Sequence, residues 1–177
     1  MEKLTALIKE TVATIAHSTK KPLIGWDEES HQFTIQVDPN DQGRMIGKSG
    51  VTVSAINVVM WHAGLQQIGH AVGIRLLEPD SQKKEFVSVP FMPKDDLDIS
   101  ALKHLVTNLL DTTLGKASYT YEFTANIREP ITAHICIKKA LEAKIADPDL
   151  ITALKVVIKT AGRACGGIVD SVIFFNK

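Results

Sequence analysis

An internal repeat is the feature that most limits how this chain can fold. The run AINVVM at 55–60 aligns with ALKVVI at 153–158, and Ala63-Gly64 aligns with Ala161-Gly162 at the same spacing. Self-similarity at one fixed spacing indicates that a supersecondary unit occurs twice. With 177 residues, the chain has room for two small units of this kind.

The first half of the chain predicts one order of elements. Apolar residues at helical spacing indicate a helix at the N-terminus, and alternating apolar residues indicate a hairpin after it. Asp38-Pro39 is a strong helix start, because aspartate caps a helix and proline suits its first position. The expected elements are helix 2–17, strands 23–26 and 33–37, a two-turn helix from Pro39, helix 51–63 ended by Gly64, and strand 72–76.

The second half predicts the same order after two polar breaks around residues 78–84 and 91–96. We therefore expect one unit over 1–79, a linker over 80–94 and a second unit over 95–177. The expected elements are helix 100–110, strands 119–123 and 133–137, short helix 140–145, loop 146–149, helix 150–161 and strand 168–175. This alternation of helices and short strands predicts an α+β fold.

The segment Gly47-Lys48-Ser49-Gly50 joins the two helices of the first unit. Two glycines allow a sharp backbone turn and the close approach of a sugar-phosphate chain. The first amides of the second helix, together with its dipole, favour a phosphate at that place. Lys48 adds a cation and Ser49 a hydroxyl. The segment matches the GXXG loop, which clamps about four nucleotides by their backbone.

The stretch FTIQVDPNDQGRMIGKSG at 33–50, followed by an apolar helix, resembles a KH domain. A bare GXXG is weakly specific, whereas a strand, an Asp-Pro start, this loop and an apolar helix in that order are strongly specific. Residues 1–78 are similar to KH domains of the bacterial (type II) arrangement. They are especially similar to small stand-alone bacterial KH proteins that bind RNA and pair with a larger KH-containing partner.

The resemblance implies two tandem KH-like units, each a three-stranded sheet packed by three helices. It also implies a non-catalytic protein that binds single-stranded RNA, without a cofactor or metal, in RNA metabolism or post-transcriptional regulation. A second KH-containing protein or a second copy of the chain is the implied protein partner. Carried over by position, the residues that hold the RNA backbone are Gly43, Arg44, Ile46, Gly47, Lys48, Ser49 and Gly50.

An apolar groove beside the loop is the second implication of the resemblance, and it would accept unpaired bases. Ile35, Ile46 and Val53 are candidates for its floor, although ordinary core packing is the favoured explanation of apolar residues at these positions. The second unit departs from the pattern, because its loop position reads Ala146-Asp147-Pro148-Asp149. Two carboxylates repel a phosphate, so we expect this copy to lack the clamp and its aspartates to cap the next helix.

The overall charge sets a limit on how RNA would be held. Twenty Lys and Arg balance twenty Asp and Glu, and the formal net charge is zero. A protein that binds mainly by neutralising phosphates is usually more basic, so local geometry has to supply the binding. The N-terminus lacks the apolar run of a secretory signal, no run of 18 apolar residues occurs, and cysteines number only two. These features favour a cytoplasmic location.

Two other functional classes fit parts of the sequence. Gly43 to Ser49 comes close to a nucleotide-binding P-loop, but only three residues separate its glycines, and Asp38-Pro39 places a helix where a P-loop needs a strand. A protein-interaction module that uses a KH-like fold without RNA is the alternative function, and the neutral charge favours it. The alternating aromatics Tyr119, Tyr121 and Phe123 suit either base stacking or a half-buried strand. The six histidines are scattered without metal-ligand spacing, so we expect no catalysis.

Overall fold

The computed structural model describes residues 1–16, 21–78, 99–115, 119–126, 132–139, 147–166 and 168–175. The protein is α+β, as expected, with two three-stranded sheets. The elements of the first half are α1 (Glu2–Ala16), β1 (Leu23–Asp27), β2 (Gln32–Gln36), α2 (Pro39–Ile46), a 3-10 turn (Lys48–Gly50), α3 (Val51–Ile68) and β3 (Gly73–Leu76). Those of the second half are α4 (Ile99–Thr113), β4 (Tyr119–Asn126), β5 (Thr132–Lys139), α5 (Pro148–Ala164) and β6 (Ile168–Phe175).

The two sheets have the same topology. In the first, β2 pairs antiparallel with β1 and parallel with β3, so that Phe33 lies between Trp26 and Ile74. In the second, β5 pairs antiparallel with β4 and parallel with β6, and a register shift interrupts the parallel pair at Ala133 and His134. The repeat in the sequence therefore corresponds to a repeat of helix, hairpin, helix and parallel strand.

The helices of one half pack directly on the helices of the other. Helices α1 and α3 both contact α4 and α5, and buried apolar residues of the two halves form one hydrophobic cluster. Polar side chains add bonds across this boundary. The Gln67 Nε2 donates to the carbonyl oxygen of Thr112 at 3.1 Å, and the Glu10 carboxylate on α1 bonds His104 and Asn108 on α4. The two halves share a core, so burial in one depends on the other.

Gly64 does not end its helix, and this prediction was wrong. Helix α3 continues to Ile68 and stops at Gly69, which has the left-handed φ of 79°. A Cβ on Gly64 would lie 2.6 Å from the carbonyl oxygen of His70 and 2.8 Å from the amide nitrogen of Val72. Glycine is needed there because the segment leading into β3 crosses the helix too closely for a side chain. Its counterpart Gly162 lies inside α5 in the same way.

Helix α5 begins at Pro148, so the expected loop over 146–149 is wrong for its last two residues. Asp147 is the N-cap, and its Oδ1 accepts the amide of Asp149 at 2.8 Å, as the expected capping role required. Asp38 caps α2 in the same way, accepting the amide of Asn40 at 3.1 Å. The short helix expected over 140–145, the linker 80–94 and both unit boundaries lie outside the described residues.

Candidate nucleic-acid interface

The turn between α2 and α3 has an unusual backbone. Gly47, Ser49 and Gly50 all have positive φ, at 72°, 55° and 79°. The amide of Gly47 closes α2 on the carbonyl of Gly43 at 2.9 Å, and the amide of Gly50 bonds the carbonyl of Gly47 at 3.2 Å. Three left-handed residues in a stretch of four reverse the chain within a single 3-10 turn. Lys48 and Ser49 are exposed at its tip.

The two glycines of the turn are required for different reasons. A Cβ on Gly47 would lie 2.2 Å from the Thr52 Oγ1 and 2.9 Å from the Thr52 amide nitrogen. Thr52 is buried and cannot easily move aside. Around Gly50 there is open space, so only its left-handed backbone favours glycine. The side of the turn at Gly47 is packed, and the side at Gly50 is open to a ligand.

Helix α3 begins without a side-chain cap. Gly50 is its N-cap and offers no side-chain acceptor to the first amides of the helix, unlike Asp38 and Asp147 at the starts of α2 and α5. The first amides of a helix lack intrahelical partners, and the helix dipole places partial positive charge there. The exposed ammonium of Lys48 stands on the same turn. This end of α3 is therefore suited to a phosphate.

Arg44 has structural partners near the turn. Its guanidinium donates to the carbonyl oxygen of Ala16 at 3.1 Å and to the Asp41 Oδ1 at 3.2 Å. The Asp41 side chain is nearly buried, whereas that of Arg44 is 39% exposed. These bonds fasten α2 to the last turn of α1 and so hold the glycine turn in place. Sequence reasoning missed Asp41, although its position three residues before an arginine on a helix is a signal for such a pair.

One face of α3 carries a row of residues that begins next to the glycine turn and continues along the helix. Val53, Asn57, Trp61 and Leu65 follow each other at intervals of four, so they lie along one face of the helix. The Asn57 Oδ1 accepts the amide of Ile74 in β3 at 2.9 Å. The amide of Gly73 bonds the carbonyl oxygen of His31, just before β2, and that of Leu77 bonds the carbonyl oxygen of Ile35 in β2. Alternate amides in a parallel pair point away from the partner strand, so Asn57 bonds β3 at its free edge. The part of α3 that contains Asn57 therefore lies along that edge.

The three candidates for the groove floor differ in how deeply they are buried. Ile35 is fully buried in the core, as expected from ordinary core packing. Val53 is half-buried at the start of the row, and Ile46 is 37% exposed beside the glycine turn. The edge strand adds Ile74 and Leu76, both half-buried. Partly exposed apolar side chains thus lie near the turn, on α3 and on the edge strand β3.

The aromatic strand of the second half faces α4. The Tyr121 hydroxyl lies 2.9 Å from the Thr107 Oγ1 and 3.2 Å from the carbonyl oxygen of Lys103, and the Lys103 ammonium lies 5.4 Å from the centre of the Phe123 ring. These contacts favour the packing interpretation over base stacking. Among the described residues, no group of three or more His, Cys, Asp or Glu side chains is placed to hold a metal.

Comparisons with protein-family models, with curated proteins and with solved structures found no match to this chain. In the part of the chain that the structure describes, no helix combines the length and the apolar character needed to cross a bilayer.

Proposed function

We propose that this protein binds single-stranded RNA and holds its backbone at the Gly47–Gly50 turn. One observation carries the proposal: an exposed, left-handed turn with a lysine at its tip leads directly into the uncapped start of a long helix. Amides at a helix start, a nearby cation and a surface without a Cβ are the features that bind a phosphate. The partly exposed apolar side chains beside the turn give unpaired bases a place to lie.

A single strand is favoured over a duplex by the size and charge of this surface. Lys48 is one exposed cation, and Arg44 is already bonded to Asp41 and Ala16. With a formal net charge of zero, the chain is poorly suited to neutralising the many phosphates of a duplex. The proposal is thus a short strand held by a few contacts, within RNA metabolism or post-transcriptional control in the cytoplasm, without chemistry on the RNA.

The first test is the double change Lys48→Asp with Ser49→Asp. It replaces the cation by carboxylates at the helix start, and aspartate tolerates a left-handed backbone, so the fold is kept. Loss of charge-assisted bonds lowers the affinity for short RNA by roughly 100-fold or more, measured by fluorescence anisotropy. The control Lys3→Asp with Lys9→Ser removes the same formal charge from exposed sites on α1 and leaves the affinity unchanged. Equal affinity of the two variants would refute the site.

The salt dependence of binding provides an independent test. For single strands, log K falls with log salt by roughly 0.7 for each phosphate neutralised. Lys48 alone, or Lys48 with Arg44, therefore gives a slope between roughly −0.7 and −1.4. A much steeper slope would mean that RNA binds a basic surface elsewhere on the chain.

A protein-interaction module is the second candidate function. The large apolar side chains of Trp61 and Leu65, exposed on α3, favour it together with the neutral charge. The loop variant separates the two functions. If the unmodified chain shows no RNA affinity and captures a partner, and Leu65→Ala abolishes that capture while Lys48→Asp with Ser49→Asp leaves it intact, the interaction function stands and the RNA function fails.

A further inference from the structure

Trp61 differs sharply from the other tryptophan of the chain. The Trp26 ring is half-buried and packs on Phe33, with ring centres 4.9 Å apart. Trp61 is 45% exposed in the middle of α3. Among the described residues, its ring meets that of His62, with the ring centres 4.8 Å apart and the planes at 81°. Trp61 and Leu65 are both exposed and lie one turn apart on α3, so they form an apolar patch and not a single exposed side chain.

Trp61 lies on the helix that begins at the glycine turn, within reach of a short strand bound there. It lies one helical turn beyond Asn57 in the α3 row, and Asn57 bonds the edge strand β3. With a rise of 1.5 Å per residue, the Trp61 backbone lies about 16 Å from Gly50 along the helix axis. A GXXG loop clamps about four nucleotides, so the far end of such a strand reaches this distance.

The chemistry of an exposed indole suits an unpaired base. Every base has an apolar π-face, and stacking on an aromatic side chain does not depend on sequence. The Trp61 ring meets the neighbouring His62 ring at 81°, which leaves indole surface open to a base. Leu65, one turn farther along the row, is also exposed and extends the apolar surface.

We propose that Trp61 is a second nucleic-acid contact, which stacks on a base of the strand held at the Gly47–Gly50 turn. This inference rests on the proposed function and adds a base-stacking residue to it. The backbone is gripped at the start of α3, the strand follows the surface between α3 and the edge of β3, and a base covers Trp61 at the far end. Backbone grip and base stacking are then separate contributions from one helix.

Intrinsic fluorescence tests the proposal directly. The variant Trp26→Phe leaves Trp61 as the single tryptophan. Titration with octauridylate and octaadenylate is expected to quench its emission, with the same midpoint as the anisotropy change of a labelled strand. Binding seen by anisotropy without any change in Trp61 emission would overturn this inference and leave the proposed function intact. Absence of binding by the unmodified chain would overturn both.

Affinity measurements distinguish base stacking on Trp61 from backbone binding at the glycine turn. Trp61→Ala is expected to weaken octaadenylate binding by about 5- to 100-fold, and Trp61→Phe to restore most of it, since base stacking on an aromatic ring has that magnitude. An octamer of abasic sites carries the backbone without bases. Trp61→Ala leaves its affinity unchanged, whereas Lys48→Asp with Ser49→Asp abolishes it. An equal loss for the abasic strand in Trp61→Ala would show that Trp61 serves the fold.

The exposed indole has one further explanation, a second copy of the chain packed on α3. Sedimentation of the unmodified chain without RNA distinguishes it. A monomer whose Trp61 emission is independent of protein concentration supports the proposal. A dimer that Trp61→Ala dissociates would overturn it.

Discussion

Helices α3 and α5 occupy equivalent places in the two halves, yet they begin differently. Helix α3 starts from Gly50, the last of three left-handed residues, with an exposed lysine and no side-chain cap. Helix α5 starts from Asp147, whose carboxylate accepts the amide of Asp149, and Pro148 fills its first position. The first start is open to an anion, and the second already holds its own carboxylates. Among the described residues, the halves share their sheet topology and differ at this helix start, where we propose that a phosphate binds.

Gly47 is expected to give the largest effect of any single change at the α3 start. Gly47→Ala adds left-handed strain to overpacking against the buried Thr52, for a loss of about 3 kcal/mol in the free energy of unfolding. Gly50→Ala has strain but open space, and costs about 1 kcal/mol. Urea unfolding of the two variants checks the difference. Equal losses would contradict the distinction between a packed and an open side of the turn.

The shared packing of the halves is tested by Gly64→Ala and Gly162→Ala. A Cβ at Gly64 meets backbone atoms of His70 and Val72, which cannot rotate away, so we expect a loss of about 2 kcal/mol. A Cβ at Gly162 meets the β-branched side chain of the buried Val169, which has few alternative rotamers, so we expect a similar loss of about 2 kcal/mol. Because both halves share one core, each variant unfolds in a single transition. Two separate transitions in urea would contradict the common core.

The helix caps provide a smaller and more local test. Asp147→Ala and Asp38→Ala each remove a side-chain acceptor from the first turn of a helix, and each costs about 1 kcal/mol in unfolding free energy. Asp147→Ala changes no residue of the proposed RNA site, so RNA affinity remains at its original value. A loss of RNA affinity in Asp147→Ala would show that the second helix start takes part in binding and would weaken the contrast between the halves.

Much of the fold follows from local signals in the sequence. Alternation predicted β6 at its observed bounds, and Asp38-Pro39 predicted the start of α2 because aspartate and proline act within one helical turn. At Asp147-Pro148 the same pair predicts the cap correctly, but the expected loop extends two residues into α5. The local pattern predicts a helix stop at Gly64, because the residues that require glycine there, His70 and Val72, come close to it only in the tertiary fold.

In the candidate site, too, some features follow from the local sequence and others depend on the tertiary fold. The glycine turn could be predicted, since left-handed backbone in a short turn needs glycine at fixed positions. The bond from Arg44 to the Ala16 carbonyl joins residues far apart in the chain, and no local pattern predicts it. The exposure of Trp61 also depends on which faces of α3 the second half covers. Its RNA-binding role and those of the glycine turn remain predictions.

The Glu10–His104 pair, which joins the two halves, gives the smallest expected effect. This effect is a dependence of the free energy of unfolding on pH. Hydrogen bonding to Glu10, together with the charge of that carboxylate, raises the pKa of His104 above its ordinary value of 6.5. The folded state therefore binds a proton more tightly than the unfolded state at this residue. Its contribution to stability is fully present below pH 6.5, and it is lost as pH rises through the higher folded pKa.

The variant His104→Gln isolates that contribution, because glutamine can keep a hydrogen bond to Glu10 but does not titrate. Urea midpoints of both proteins are compared from pH 5.5 to 8.5. We expect the unmodified chain to be the more stable at the acidic end, and its advantage to shrink only above pH 6.5. His104 is largely exposed, so the difference is small and falls further in high salt. An advantage that grows with pH would show that the Glu10–His104 pair does not join the halves in solution.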